Sequence, residues 1–224
     1  MLISDIDRAG KPQRKDHALM GKYDNFSDMQ IDVLKEIGNI GSGNACTALA
    51  MLLNTFVDMS VPSVKFLDFE SVKEFLGGDS IEVLGIKIGV KEDLTGMMFH
   101  IVKKEFASRI INTFYPKELN NLSELNEMDL SVLSEMGNIT SGAYANALAS
   151  LSSMKVDICT PEYHVNTVGE ILKIPLTEYG EVGDKILVID EQFIMGDEKL
   201  TDHMLLILDG PSLNKLFASL GIAS

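Results

Sequence analysis

The chain has 224 residues, of which 46% are hydrophobic, and a formal net charge of −14. This charge argues against nucleic acid or an anionic membrane as a partner, because both are bound through positive surfaces. No run reaches the roughly 18 to 20 apolar residues that cross a bilayer, and residues 1–17 are too polar for a secretory signal. We therefore expect a cytoplasmic protein with a hydrophobic core and with other proteins as partners.

The N-terminal part of the chain shows no structural periodicity. Residues 1–25 contain Gly, Pro, Lys, Arg and Asp in no repeating order. This composition predicts a flexible extension. The domain is expected to begin near residue 26, because Ser27 and Gln30 have the spacing of a helix capping box.

The first predicted helix follows Ser27 and has two different faces. Asp32, Glu36, Asn39 and Gly43 follow one another by four, three and four positions, so they form one polar stripe. On another face, apolar residues recur at spacings of three and four and are expected to pack inward. These inward positions are Leu34, Ile37, Ala45, Ala48, Leu49 and Leu52.

Strand-like segments follow Pro62, which we interpret as structural because Pro lacks a backbone donor and suits the entry to a strand. Three short segments are alternating or apolar, and the last two are close enough to form an antiparallel hairpin. A segment with helical spacing follows and closes a first half-repeat, residues 26–115. The predicted strands are 63–69, 81–90 and 96–102, and the predicted helix is 106–114.

The whole helix pattern occurs again 99 residues later. Asn126 repeats the helix start, and 15 of the 30 residues from 33 to 62 are identical to their partners. Duplication explains shared core residues easily, but it explains a retained Glu and Asn on a polar stripe less easily. The stripe is therefore where we look for function. Its second copy consists of Ser131, Glu135, Asn138 and Gly142, followed by Pro161.

The second half, residues 126–224, repeats the strands and the closing helix after a connection at 116–125. Leu94 and Leu200 look equivalent at a spacing of 106, so about seven residues (106 − 99) were inserted, which we expect around 177–184. We predict an α+β fold: a single domain with internal two-fold pseudosymmetry, in which an antiparallel sheet packs with helices. The predicted elements are strands 186–189 and 204–208 and helix 212–220.

The glycine-rich segment that begins at Gly38 is not predicted to bind a nucleotide. Its spacing reverses the dinucleotide fingerprint, no apolar strand precedes it, and Thr140 replaces Gly41 in the second copy. Gly within a helix costs about 1 kcal/mol relative to Ala. Gly38 and Gly43 therefore indicate that a neighbouring helix or a docked partner approaches closely.

Other kinds of site find little support in the sequence. The four histidines show no ligand spacing, so we predict no metal site built by this chain alone. No Ser-His-Asp or Cys-His order indicates a covalent catalyst. Cys46 and Cys159 are expected to be reduced thiols, because neither matches a cysteine in the other copy.

The repeated motif resembles that of the CheC/CheX/FliY family of chemotaxis phosphatases. Helices of this family carry Asp or Ser, then Glu, Asn and a distant Pro at these intervals, and the resemblance covers about residues 27–224. CheX-type chains have one motif, and FliY-type chains carry an additional C-terminal domain. With two motifs and a chain that stops after the second repeat, this sequence is most similar to the CheC type. The N-terminal extension and the insertion in the second half depart from the family pattern.

The resemblance implies a phosphatase that hydrolyses the aspartyl phosphate of the response regulator CheY. Asn39 and Asn138 would position the attacking water, while Glu36 and Glu135 would dock to a Lys of the regulator. The chain would need no cofactor of its own, since the bound regulator would supply Mg²⁺. In this reading Asp32 and Ser131 shape the approach, Gly43 and Gly142 leave room for the partner, and Pro62 and Pro161 are structural.

Two other functions stay open at this point. The chain could bind and sequester phosphorylated CheY without hydrolysing it, or act as a scaffold that regulates the receptor deamidase CheD, a partner that the resemblance also implies. A purely structural duplication would bind no phosphorylated regulator at all.

Overall fold

The order of helices and strands is nearly the same in the two halves of the chain. The structure, a computed structural model, describes residues 27–59, 63–179, 186–195 and 198–222. The described elements of the first half are α1 (Asp28–Leu53), β1 (Asp58–Met59), β2 (Ser63–Leu67), α2 (Phe69–Leu76), β3 (Glu82–Glu92), β4 (Gly96–Val102) and α3 (Lys104–Phe114). Those of the second half are α4 (Glu127–Ser152), β5 (Val156–Ile158), β6 (Glu162–Thr167), α5 (Val168–Ile171), α6 (Lys173–Tyr179), β7 (Ile186–Met195), β8 (Glu198–Leu208) and α7 (Gly210–Ser219), after a short 3₁₀ helix at Leu122–Glu124.

The repeat seen in the sequence is a repeat of structure. Helices α1 and α4 both have 26 residues and begin 99 positions apart. Both end at a residue in the left-handed conformation, Asn54 with φ 47° and Ser153 with φ 56°, well before the prolines. The predicted α+β fold with two-fold pseudosymmetry is confirmed. The predicted extension, residues 1–25, and Pro62 lie outside the described residues, so the extension and the proposed half-repeat boundaries stay predictions.

The two halves exchange strands within one antiparallel sheet. Among the described residues the sheet has eight strands, with the order β1-β7-β8-β4-β3-β5; β2 also pairs with β7, and β6 also pairs with β3. A strand of each half thus pairs with the hairpin of the other half. At the centre, Phe99 pairs with Leu205. These two residues are 106 positions apart, as Leu94 and Leu200 are, so the pseudo-two-fold axis passes close to this pair.

The sheet separates two groups of helices. On one face, Met98 and Met204 pack with Leu34 of α1, and α3, α4 and α7 lie on the same face. On the other face, Phe99 packs with Val72 of α2, and α5 joins this second core. Helices α1 and α4 therefore bury one side against the sheet and each other, which leaves their outer sides free.

Helices α1 and α4 approach closely because a glycine faces a tyrosine. A Cβ atom at Gly41 would lie 2.3 Å from the ring of Tyr144, so no larger residue fits there. The repeat partners of these residues are Thr140 and Ala45. The same pair of positions thus holds Gly with the large Tyr in one copy of the contact, and Thr with the small Ala in the other. This explains why Gly41 has no glycine partner in the second copy.

Most predicted elements are present, with shifted ends. Of the expected inward residues of α1, Ala48 and Leu52 are only half-buried. The strand expected at 63–69 ends at Leu67, and helix α2 follows it without having been predicted. Part of the expected insertion at 177–184 continues helix α6, while residues 180–185 lie outside the described residues. Strands β7 and β8 are longer than predicted. Since β8 has 11 residues and its repeat partner β4 has seven, some extra residues of the second half lengthen its hairpin.

Candidate functional site

The first motif lies on a helix whose start is fixed by the predicted capping box. The backbone N–H of Ser27 donates to Oε1 of Gln30 at 2.8 Å, and the backbone N–H of Gln30 donates to Oγ of Ser27 at 3.3 Å. Two amides that the helix itself leaves without acceptors are thereby satisfied. The motif, which begins one turn later, therefore has a rigid support.

The polar stripe of α1 faces outward along its whole length. Asp32, Glu36, Asn39 and Gly43 are all exposed. A carboxylate oxygen of Asp32 lies 3.6 Å from Nζ of Lys35. Asn39 is exposed, and its carboxamide makes no hydrogen bond to another described residue. Glu36 and Asn39 are one turn apart, about 5–6 Å between Cβ atoms.

The second motif lies on a helix whose start is held more strongly. Asn126 and Asp129 form a capping box, in which the Asn126 N–H donates to the Asp129 carboxylate at 2.7 Å. The Asp129 carboxylate is buried and also accepts hydrogen bonds from the Tyr115 hydroxyl and Lys117 Nζ. The connection between the two halves is therefore tied to the first turn of α4.

The same contacts shift two pKa values. Burial by itself would raise the pKa of Asp129, but the hydrogen bonds from Lys117, Tyr115 and the Asn126 N–H outweigh it and lower this pKa. The hydrogen bond to Asp129 raises the pKa of Tyr115 to about 12, and burial adds to this. Asp129 is therefore an ionised, buried anchor at neutral pH.

The second motif lines a cleft of about 550 Å³ between α4 and the loop that joins β5 to β6. Ser131, Glu135 and Asn138 come from the helix, and Pro161 comes from the loop. The structure thus brings together four of the residues that the sequence predicted for this half. Gly142 lies one turn beyond Asn138 and is not part of the cleft lining. The cleft also contains Glu127, Ser134, Ile158, Cys159, Thr160 and Tyr163.

The two motifs differ in how open they are. Asn39 is exposed on α1, whereas Asn138 is half-buried beneath the β5–β6 loop. Beside the first motif stands the charged Lys35, while its repeat partner beside the second motif is the neutral Ser134. Residues 60–62 lie outside the described residues. Among the described ones, Phe56, Val57 and Asp58 form a cleft of about 560 Å³ with α1 next to Gly43.

The glycines of the two motif segments are present for different structural reasons. A Cβ atom at Gly38 would lie 2.8 Å from Cγ2 of Val64, and one at Gly137 would lie 3.1 Å from Cγ2 of Ile86, so the helices approach their own sheet there. A Cβ atom at Gly43 would meet nothing within 4 Å. The close approach inferred for Gly38 is thus made within the molecule, while the space at Gly43 is open.

The sequence did not single out the residues that the loop contributes to the second cleft. Cys159, Thr160 and Tyr163 flank Pro161, which we had interpreted only as structural. Their proximity to that proline was the one available signal, because loop residues have no periodicity that reports which helix they contact. Cys159 and Cys46 form no disulfide, as expected.

Neither a metal-binding cluster nor a membrane-crossing helix occurs in the part of the chain that the structure describes. What each motif offers is an acid and an amide on one rigid turn. An amide can donate to one group and accept from another, which suits it to orient a small molecule such as water.

Both motifs lie in segments that are similar to known proteins. The model of the CheC-like family matches residues 29–66 and 128–165, which contain the two motifs. The CheY-P phosphatase CheC of Bacillus subtilis (strain 168) is 34% identical over 206 residues, which cover 90% of this chain and 99% of that protein. The flagellar motor switch phosphatase FliY of the same organism is 28% identical over 150 residues, which cover 66% of this chain and 39% of FliY.

The fold is similar to that of Thermotoga maritima FliY, with a TM-score of 0.71 at 22% identity; the match covers 88% of this chain and 98% of that one. The resemblance found in the repeated motif is confirmed by these matches, and the match to CheC covers 90% of the chain. The chain therefore belongs to the CheC-like family of chemotaxis phosphatases.

Proposed function

We propose that this chain hydrolyses the aspartyl phosphate of a CheY-type response regulator, and that each motif is a separate active site. The observation that carries the proposal is a Glu–Asn pair on each of two capped helices, exposed on α1 and lining a cleft on α4, in a chain 34% identical to a CheY-P phosphatase. In this proposal, Asn39 and Asn138 position the attacking water, and Glu36 and Glu135 dock to the regulator.

The chemistry needs little more than these groups. Hydrolysis of a phosphoryl group depends mainly on an in-line nucleophile and on charge stabilisation, rather than on covalent work by the protein. An Asn carboxamide accepts a hydrogen bond from water and donates another, although it is too weak a base to remove a proton. Holding the water in line removes orientational freedom from the barrier.

The Glu of each motif is suited to fix the helix against a positively charged group of the partner. We propose that Glu36 and Glu135 pair with a Lys at the regulator's phosphorylation site. A partly desolvated pair of this kind contributes to register and selectivity more than to affinity. Asp32 and Ser131, one turn earlier, would shape the approach of the partner.

The glycine one turn after each Asn leaves space for the partner. A Cβ atom at Gly43 would meet nothing within 4 Å, and one at Gly142 would meet only Ile158 at 3.8 Å. In this proposal the regulator's backbone approaches the helices at Gly43 and Gly142. Mg²⁺ at the phosphoryl group would be supplied by the regulator, and the deamidase CheD stays a second proposed partner.

The decisive experiment removes the two amides. Phosphate release from phosphorylated regulator in large excess is measured for Asn39→Ala, Asn138→Ala and the double variant. We expect each single variant to keep one working site, and the double variant to lose roughly 10²–10³ in rate, as when one positioned polar group is removed. Asn44→Ala is the matched control, because Asn44 is exposed on α1 away from the stripe.

An unimpaired double variant would refute the proposal. Multiple turnover also separates catalysis from sequestration. A protein that only binds the phosphorylated regulator would protect at most a stoichiometric amount of it and would release no phosphate above the regulator's own rate.

A further inference from the structure

A chain of buried polar side chains connects the centre of the sheet to helix α4. His100 of β4 lies between Asp202 of β8 and two hydroxyls of α4, those of Thr140 and Ser141. Its Nδ1 is 2.8 Å from Oδ2 of Asp202, and its Nε2 is 3.0 Å from Oγ of Ser141 and 3.0 Å from Oγ1 of Thr140. All four residues are at most 1% exposed, so substrate and water have no direct access to them.

The donors and acceptors in this network fix the orientation of the His100 ring. A carboxylate can only accept, so the Nδ1–H of His100 donates a hydrogen bond to Asp202. Nε2 is then turned toward α4. Thr140 Oγ1 is also 3.0 Å from the carbonyl oxygen of Met136 and 3.1 Å from that of Gly137, so the single hydrogen of this hydroxyl is shared between the helix backbone and the contact with His100, while Ser141 contributes a second hydroxyl at Nε2. The imidazole is therefore oriented from the sheet side and holds a defined turn of the helix.

That turn is the one that carries the second motif. Gly137 immediately precedes Asn138, and a Cβ atom at Gly137 would lie 3.5 Å from Cδ2 of His100. Thr140 and Ser141 follow Asn138 by two and three residues. The His100 ring thus lies directly beneath the turn from Glu135 to Asn138 and is bonded to the turn that follows it.

The first half of the molecule has no equivalent of the buried His100–Asp202 pair. At the spacing of 106, the partners of His100 and Asp202 are Leu206 and Gly96. Leu206 packs in an apolar core with Leu34 and Ile37 of α1. The sheet side of the same contact is therefore apolar in the other half, so the fold does not require a buried His–Asp pair at this place. On α1 the repeat partner of Ser141 is Ser42, which is also buried and is hydrogen-bonded to the Tyr144 hydroxyl.

Burying these polar side chains has a cost in stability. Oδ1 of Asp202 is buried and has no hydrogen-bond partner among the described residues. A buried polar network that is incompletely satisfied stabilises a protein less than apolar packing of similar volume does. Stability alone thus does not account for His100 and Asp202, whereas a polar network can fix the orientation of an element.

We propose that His100 is a positioning residue for the second site: oriented by Asp202, it holds the Glu135–Asn138 turn of α4 so that the Asn138 carboxamide points into the cleft. This inference rests on the proposed function. In this proposal His100 and Asp202 have a role at the second site only, because their repeat partners beneath α1 are Leu206 and Gly96.

The two sites of one molecule allow a test with an internal reference. His100→Leu combined with Asp202→Ala replaces the chain with side chains like those of the first half. The double replacement is placed in Asn39→Ala, where the second site alone works, and in Asn138→Ala, where the first site alone works. We expect kcat of the second site to fall about tenfold with KM for the regulator little changed, because misplacement of a catalytic group costs rate, and kcat of the first site to change less than about twofold.

A loss of stability alone gives a different result, since it lowers the folded fraction and therefore both sites equally. If the double replacement does not fold, Thr140→Val with Ser141→Ala removes only the two hydroxyls and tests the same contact. Asp202→Asn keeps an acceptor for Nδ1 and is expected to retain most of the second site's rate.

Equal effects on the two sites, or no effect on the second, would overturn the inference. The outcome is separable from that of the proposed function. If Asn39→Ala with Asn138→Ala still hydrolyses the regulator, the proposed function fails; if the single-site variants behave as expected and His100 shows no preference for the second site, only this inference fails.

Discussion

Individual glycines of the motif segment have opposite structural roles although they lie two residues apart. Gly41 fits against the ring of Tyr144, while Gly43 faces open space. We predict that Gly41→Ala destabilises the protein by about 1–3 kcal/mol through overpacking. Gly43→Ala should stabilise it by up to about 1 kcal/mol, because Ala is the better helix former.

Urea unfolding of the two variants measures this difference, and each variant is the other's control. Equal effects of both substitutions would contradict the packing described for α1 and α4. The sequence showed these glycines as members of one run. Only the tertiary structure distinguishes their roles, because the role of a glycine depends on which residues face it.

At the scale of elements, the two motif helices start differently. The first turn of α1 relies on its capping box, whereas that of α4 is also tied to Lys117 and Tyr115 through the buried Asp129. Since the pKa of Asp129 is lowered on folding, its contribution is present above the unfolded value of about 3.9 and is lost as the pH falls through the folded value.

We therefore predict that Asp129→Asn lowers the free energy of unfolding by roughly 3 kcal/mol at pH 7, as when a buried pair loses one partner. The difference from the natural protein should shrink below about pH 4, where Asp129 of the unfolded chain takes up a proton. Urea unfolding at pH 7 and pH 3 checks this. Asp28→Asn, at an exposed carboxylate in the first turn of α1, is expected to change stability by less than about 0.5 kcal/mol; a constant difference at both pH values would contradict the assignment.

The elements themselves were largely predictable from the sequence. The start of α1 at Ser27 and of α4 at Asn126 followed from capping residues, and the stripe followed from spacing. Helix α2 was missed because the strand pattern that ends at Leu67 ran into it without a break. The cleft beside Asn138 was missed as well, because Cys159 and Tyr163 belong to a loop and a short strand whose contacts carry no local signal.

At the scale of the whole molecule, neither half can complete its part of the sheet alone. Strand β2 pairs with β7, and β6 pairs with β3, across the two halves. The central contact between β4 and β8 also joins them. We predict that the protein unfolds in a single cooperative transition, so that native-state hydrogen exchange gives the amides of β3 and β7 the same free energy of opening.

The separate fragment 27–115 is the control, because it lacks every strand that pairs with β2 and the outer partner of β4. It should fail to fold as a monomer. Two separate transitions in the intact chain, or a stable monomeric fragment, would show that the strand exchange is not needed for folding.

The sequence by itself determined the duplication, the starts of both long helices and the outward stripe with Glu36, Asn39 and their partners, because each of these depends on residues near one another in the chain. The tertiary structure decided which strands exchange between the halves, that the second motif lies in a cleft while α1 presents the first on an exposed face, and that His100 lies beneath only one of them. These features depend on contacts between residues that are distant in the chain, such as His100 with Ser141 and Ser63 with Asp190, and no local pattern of hydrophobicity or capping specifies such pairs.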